Sequence, residues 1–411
     1  MSIRTAGRIG NPDRFRRLWA LLLCGLSSLF AGLAWMSMPV LFQEISRETG
    51  WTMAQLLTAW GVVQLAVLLS GIPAGIVSDR IGMRWSVGAG LVVFGLFGAA
   101  RGVAENYLLF VVFLFFFGFL VPFIYQQLYK ITAQLFESER LGVVHGGLQA
   151  TFGIATGIAF LFSGTLFSRV LGGWQNLFYL LGTCSAILGL VWMMTVREPS
   201  QDSKDSVPVP RWQVIGEEIP RLMRNRNIRM FSLINFLAFG AWMGASGTLP
   251  SLLRDSHGLS AQSANSIMAL ASWSWIIGSL VLPHFFDRFR DRRYILVTGL
   301  TVSGLALLVL CASPDSGMLW FWSCLWGFSA SVLLPVMVPF VFHTPGVDRQ
   351  SAGTAAGIVF STGNLGGFVF PMIITAWVLE AGQPTVMLGI LCGLLGYALA
   401  GLLVLRIPPD S

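Results

Sequence analysis

Long apolar runs broken by short charged segments fill the chain from residue 18 almost to its end. A membrane-crossing helix needs about 20 mostly apolar residues, and the pattern predicts twelve such spans. They fall near 18–40, 54–77, 85–101, 107–129, 143–167, 175–196, 230–252, 264–286, 294–312, 319–342, 352–377 and 385–405, the third and ninth being short. The joining segments set the orientation. With the N-terminus in the cytoplasm, 22 of the 26 basic residues fall in cytoplasmic segments, and only Arg47, Arg101, Arg169 and Arg254 fall outside. Such a bias predicts an even number of spans with both termini inside.

The longest polar stretch, 197–229, runs from Arg197 through Lys204 to Arg221, Arg224, Arg226 and Arg229. It divides the chain into an N-terminal six-helix bundle (1–196), a cytoplasmic linker and a C-terminal six-helix bundle (230–411). The basic end of this linker suits either anionic headgroups or a solvated tether. The halves echo each other. Asp79 and Arg80 recur 208 residues later as Asp287 and Arg288; Glu139 and Arg140 recur 209 residues later as Asp348 and Arg349. Two landmarks with nearly one period point to duplication, and parallel repeats are one plan of membrane carriers. The predicted fold is an all-α membrane protein of twelve transmembrane helices in two pseudo-symmetric bundles.

Composition agrees. The chain is 55% hydrophobic and 11% charged, against about 25% charged in soluble domains. The net charge of +7 is spread over short loops and forms no continuous basic face, so nucleic acid is rejected as a partner. Cys24, Cys184, Cys311, Cys324 and Cys392 all lie in apolar stretches without CxxC spacing and read as small packed hydrophobes. No cleavable signal peptide is expected, because the first apolar run is long and no small-residue cleavage site follows it. No Ser-His-Asp order, metal-ligand cluster or nucleotide loop stands out, so no enzyme, cofactor or metal is predicted.

The segment between the second and third spans, Gly75-Ile-Val-Ser-Asp79-Arg80-Ile-Gly82-Met-Arg84, resembles the loop motif of the major facilitator superfamily, G-x-x-x-D-R/K-x-G-R-K/R. Met83 stands where the first basic residue of the closing pair is expected. The resemblance covers all twelve spans and implies a two-lobed secondary transporter of the bacterial inner membrane. It also implies that Asp79 and Arg84 help to latch the cytoplasmic side, with Gly75, Arg80, Gly82, Glu139, Arg140, Asp287, Arg288, Asp348 and Arg349 as the surrounding gate. A carboxylate near a helix N-terminus facing a guanidinium makes a breakable contact at the membrane edge. The Gly-rich eleventh span, with Gly353, Gly357, Gly363, Asn364, Gly366 and Gly367, is similar to that of nitrate and nitrite porters and of some organic-acid carriers. Nitrate is disfavoured, because the second span offers Gln64 where those porters carry arginine, and the eighth offers Ser272 and Ser274. The Gly-Pro pair that many drug exporters carry in the fifth span is absent.

By the same resemblance, spans 1, 4, 7 and 10, helped by 2, 5, 8 and 11, line a central cavity. Their polar and aromatic residues are the candidate substrate contacts: Trp35, Gln64, Tyr125, Gln126, Tyr129, Lys130, Gln149, Asn235, Trp242, Trp273, Trp326 and Asn364. For the amides, ligand contact and helix–helix hydrogen bonding are both open. Lys130 either attracts an anion, snorkels to headgroups or pairs with a carboxylate. No Asp or Glu falls in the middle of a span, and His145, His284 and His343 lie near helix ends. The expected function is transport of a small organic solute, with a lean to a carboxylate. The alternatives are an amphipathic, cationic or metal-chelate solute held by aromatic walls, and a receptor or assembly factor that no longer transports. Protons or another ion for coupling, membrane lipids and a monomeric state complete the expected partners.

Overall fold

A computed structural model describes residues 11–136, 138–196, 212–255, 257–282, 293–312, 316–333, 341, 344–347, 351–381, 397 and 399. The chain is all-α. In order, the helices are α1 (Asn11–Met36), α2 (Met38–Thr49), α3 (Met53–Ile81), α4 (Met83–Ala100), α5 (Tyr107–Leu135), α6 (Ser138–Phe162), α7 (Ser168–Leu171), α8 (Trp174–Thr195), α9 (Trp212–Arg224), α10 (Arg226–Asp255), α11 (Ala261–Val281), α12 (Arg293–Ala312), α13 (Ser316–Ala330) and α14 (Ala352–Ala381). Among the described residues ten segments are long and apolar enough to cross a membrane, matching predicted spans one to nine and eleven. The tenth predicted span corresponds to α13, and the twelfth lies largely outside the described residues.

Local chemistry sets the boundaries. α3 opens with a capping box, in which Thr52 Oγ1 accepts from the Gln55 amide at 3.2 Å and Gln55 Oε1 accepts from the Thr52 amide at 2.8 Å. At α5 the Asn106 side chain accepts from the Leu109 amide, and at α11 the Ser260 side chain accepts from the Ser263 amide. α1 and α2 form one kinked span, broken at Ser37; Pro39, in the first turn of α2, has no amide hydrogen to give the preceding turn. Between α3 and α4 the chain reverses at Gly82, whose φ of 85° suits a residue without Cβ.

The packing repeats between halves. α1 lies on α6 as α10 lies on α14; α3 on α5 as α11 on α13; and α4 on α5 as α12 on α13. Across the halves α3 packs on α14 and α6 on α11. α4 and α8 meet backbone to backbone: a methyl on Gly189 would stand 2.5 Å from the Gly88 carbonyl oxygen, and Gly95 and Gly182 face each other as closely. In lipid, where apolar burial no longer drives association, such close approach supplies dispersion contact.

Two features differ from the sequence reading. Arg101, counted above among the outside loop charges, is buried, with 1% of its surface exposed. Within the predicted linker, α9 is a helix docked on the C-terminal half: Leu222 is buried, Glu218 accepts from Thr354 Oγ1 at 3.1 Å, and Asn225 Nδ2 donates to the Pro345 carbonyl at 2.9 Å.

Candidate functional site: a central aromatic cavity

A cavity of about 310 Å³ lies between the two halves, the lower end of the usual range for small-molecule sites. From the N-terminal half it is walled by Trp35, Tyr125, Tyr129, Gln149, Phe152 and Thr156; from the C-terminal half by Phe239, Trp242, Met243, Ser246, Trp275 and Tyr397, among others. Among the described residues, nine of the twenty that line it are aromatic and none carries a formal charge.

The walls are held from behind. Tyr125 donates its hydroxyl to the Ser28 carbonyl at 3.1 Å, tying α5 to α1. Tyr129 donates to Gln149 Oε1 at 2.9 Å, tying α5 to α6. Phe152 stands edge-on to both Trp35 and Tyr125, with ring centroids 6.1 and 5.8 Å away. On the opposite wall Trp242 stacks on the fully buried Trp326, centroids 4.5 Å apart and planes inclined by 30°.

Beside the cavity, at Met243, the two halves touch directly. Gln64 Nε2 donates to Met243 Sδ at 3.3 Å. A methyl on Gly61 would stand 3.2 Å from the Phe368 carbonyl oxygen, and one on Gly247 would stand 3.1 Å from Leu57 Cδ2. These contacts occupy the part of α3 remote from the 75–84 turn.

Five of the twelve candidate substrate contacts line the cavity: Trp35, Tyr125, Tyr129, Gln149 and Trp242. The other seven sit elsewhere. Gln64 and Trp326 lie behind the lining residues Met243 and Trp242. Gln126 Nε2 bonds the Gly71 carbonyl (3.1 Å), Asn235 Nδ2 the Val359 carbonyl (2.8 Å), and Asn364 Nδ2 the Phe360 carbonyl one turn away in its own helix (3.1 Å). Trp273 packs at the place of Gly157, between α11 and α6. Lys130 is exposed and is not a lining residue. Residues beyond the candidate set also line it, notably Phe152, Thr156, Phe160, Phe239, Ser246 and Tyr397. Helical spacing from two candidates would have found most of these: Gln149, Phe152, Thr156 and Phe160 share one face of α6, and Phe239, Trp242 and Ser246 one face of α10.

At the 75–84 turn, Arg84 Nε donates to the Met193 carbonyl at 2.6 Å, and its guanidinium carbon lies 5.6 Å from the Trp85 ring centroid. Ser86 donates to the Phe123 carbonyl at 3.2 Å and shares a short hydrogen bond with Ser78 across the turn, so α3, α4 and α5 are joined there. Gly75 lies beside Gln126, and Arg80 is exposed. Of Asp79, Glu139 and Arg140 only the backbone is described; Asp287, Arg288, Asp348 and Arg349, with His284 and His343, lie outside the described residues.

Comparison with known proteins agrees with this architecture. The nitrite extrusion protein of Bacillus subtilis is 25% identical over 368 residues, covering 87% of this chain and 86% of its own. The probable L-galactonate transporter of Escherichia coli is 23% identical over 424 residues, covering 94% and 89%. In fold the chain is similar to the nucleoside transporter NupG, with a TM-score of 0.75 at 15% identity over 94% of this chain and 98% of that one. The sequence pattern described as Major Facilitator Superfamily matches residues 23–371 and again 231–411. The chain is a multi-pass transporter of the bacterial inner membrane and belongs to the major facilitator superfamily.

Proposed function

We propose that this transporter moves a small organic carboxylate, which rests in the central cavity while the two halves rock about it. The observation that carries the reading is the cavity itself: it takes walls from both halves, and the halves touch directly beside it. The carboxylate is supported by the relatives, whose names concern nitrite and L-galactonate, both small anions. In this reading twelve spans form two six-helix halves, 1–196 and 230–411, joined through 197–229, with both termini cytoplasmic and one chain sufficient for transport. Asp79, Arg84 and the charged residues that echo them work as the latch at the inner surface, and protons or another ion couple the cycle. Lys130, exposed one residue beyond the cavity-lining Tyr129, attracts the anion on its way and does not hold it.

Flux of labelled organic acids into sealed vesicles containing the purified protein tests this. Uptake of at least one carboxylate, reduced in Lys130→Gln, is expected; unchanged flux in that variant removes the role given to Lys130. Absence of carboxylate flux, with movement of a neutral or cationic amphipathic compound, favours a second reading, for which the aromatic walls speak.

A further inference from the structure

We propose that the cavity selects a solute with a flat aromatic body and an oxygen acceptor, the ring stacking on Trp242 and the acceptor bonding Gln149 Nε2. This rests on the carboxylate reading above and names the kind of carboxylate.

The flat surface comes from the indole pair. Trp326 is fully buried and covers one face of Trp242, with planes inclined by only 30°. Trp242 lines the cavity, so the face it offers a solute is the one turned away from Trp326. A third ring laid there continues an existing stack, and offset stacking favours aromatic over saturated rings.

The polar readout comes from the other lining side chains, most of them on the opposite wall. A hydroxyl has one proton to give. Tyr125 gives its proton to the Ser28 carbonyl, Tyr129 to Gln149 Oε1, Thr156 to the Phe152 carbonyl at 2.9 Å, and Ser272 to the Met268 carbonyl at 3.1 Å. Those four lining hydroxyls therefore have no proton left for a solute. Gln149 differs. Its oxygen is taken by Tyr129, which fixes the plane and sense of the amide, and its Nε2 keeps two N–H donors with no partner among the described residues. A carboxylate or carbonyl oxygen satisfies them. A polyhydroxylated acid would bring many hydroxyls against aromatic walls that cannot replace their hydration.

Binding to the full-length purified protein, measured by titration calorimetry, tests this with three kinds of acid: benzoate and 2-naphthoate, cyclohexanecarboxylate, and gluconate. The aromatic acids are expected to bind roughly 3- to 10-fold tighter than the saturated ring, the scale of one aromatic pair. Trp242→Leu should bring that ratio close to one, whereas Trp242→Phe should keep most of it. Gln149→Leu should weaken the aromatic acids by about tenfold, and Tyr129→Phe, which keeps the ring but frees the amide, by less. Equal binding of the flat and saturated rings, or tighter binding of gluconate, overturns the inference. If gluconate alone of the three kinds is carried into vesicles, the inference falls and the carboxylate reading stands; if none is carried, both fall.

Discussion

Arg101 Nη2 donates to the carbonyl oxygen of Ala34 at 3.1 Å, at the point where α1 breaks before α2. The same guanidinium gives Nε to the Gly98 carbonyl at 3.0 Å and lies between the rings of Phe117 and Phe178, 4.0 and 4.3 Å from their centroids. A cation at a helix C-terminus is favourably placed, and the two phenyl faces receive it by cation–π attraction. The next residues, Trp35 and Met36, line the cavity, so this buried charge sets part of the wall.

That arrangement depends on a planar fork, which lysine lacks. Arg101→Lys keeps a compact charge in the same apolar site without the second bond or the stack, and is expected to cost on the order of 3 kcal/mol. Arg101→Met removes the charge and fills much of the volume, and is expected to cost less. Thermal unfolding of the two variants in detergent compares them. A smaller loss for lysine than for methionine would show that charge alone, and not the fork, holds the break.

The α4–α8 contact leaves no room for side chains. Gly189→Ala would press a methyl against the Gly88 carbonyl and separate the helices, so a loss of roughly 1–3 kcal/mol and reduced yield are expected. Gly357→Ala on α14 meets nothing within 4 Å and should leave the unfolding midpoint unchanged or slightly raised. A matched pair of melting curves decides between them.

α9 carries its own test. Leu222 is 2% exposed against the C-terminal half. Leu222→Ala should undock the helix at a cost of about 2 kcal/mol or more, while Glu218→Ala should cost only about 1 kcal/mol through the bond to Thr354. Hydrogen exchange across 212–224 reads both, and faster exchange is expected in the order Leu222→Ala, Glu218→Ala, unaltered chain. Equal exchange in all three would mean that the helix is not held by these contacts.

Much of the architecture was legible because lipid imposes a coarse rule: a helix must be apolar along its whole length. Predicted spans near 54–77 and 107–129 became Met53–Ile81 and Tyr107–Leu135: the first starts one residue earlier, beside its Thr52 cap, the second starts as predicted, beside its Asn106 cap, and both run on by four to six residues at the C-terminal end. The site was harder to read. A polar residue inside a span has two ways to satisfy itself, and sequence does not say which. Asn235 and Gln126 bond neighbouring helices, while Gln149 keeps its amide nitrogen for the cavity. Phe152 and Phe160 could not be told from lipid-facing rings until the face of α6 was known. Arg101 was read as a loop charge because it follows an apolar run, yet the aromatic residues that bury it, Phe117 and Phe178, come from other helices, α5 and α8.

Rocking of the two halves about a central solute is tested most directly by distances between spin labels measured by pulsed electron resonance. One pair is placed at Ile81 and Val281, exposed at the ends of α3 and α11 on the side of the 75–84 turn; the other at Glu105 and Gln262, exposed at the opposite end. Adding a transported acid, or a pH gradient, should lengthen one distance while shortening the other. Two distances that stay fixed under every solute and gradient, in vesicles that carry nothing, would contradict the mechanism.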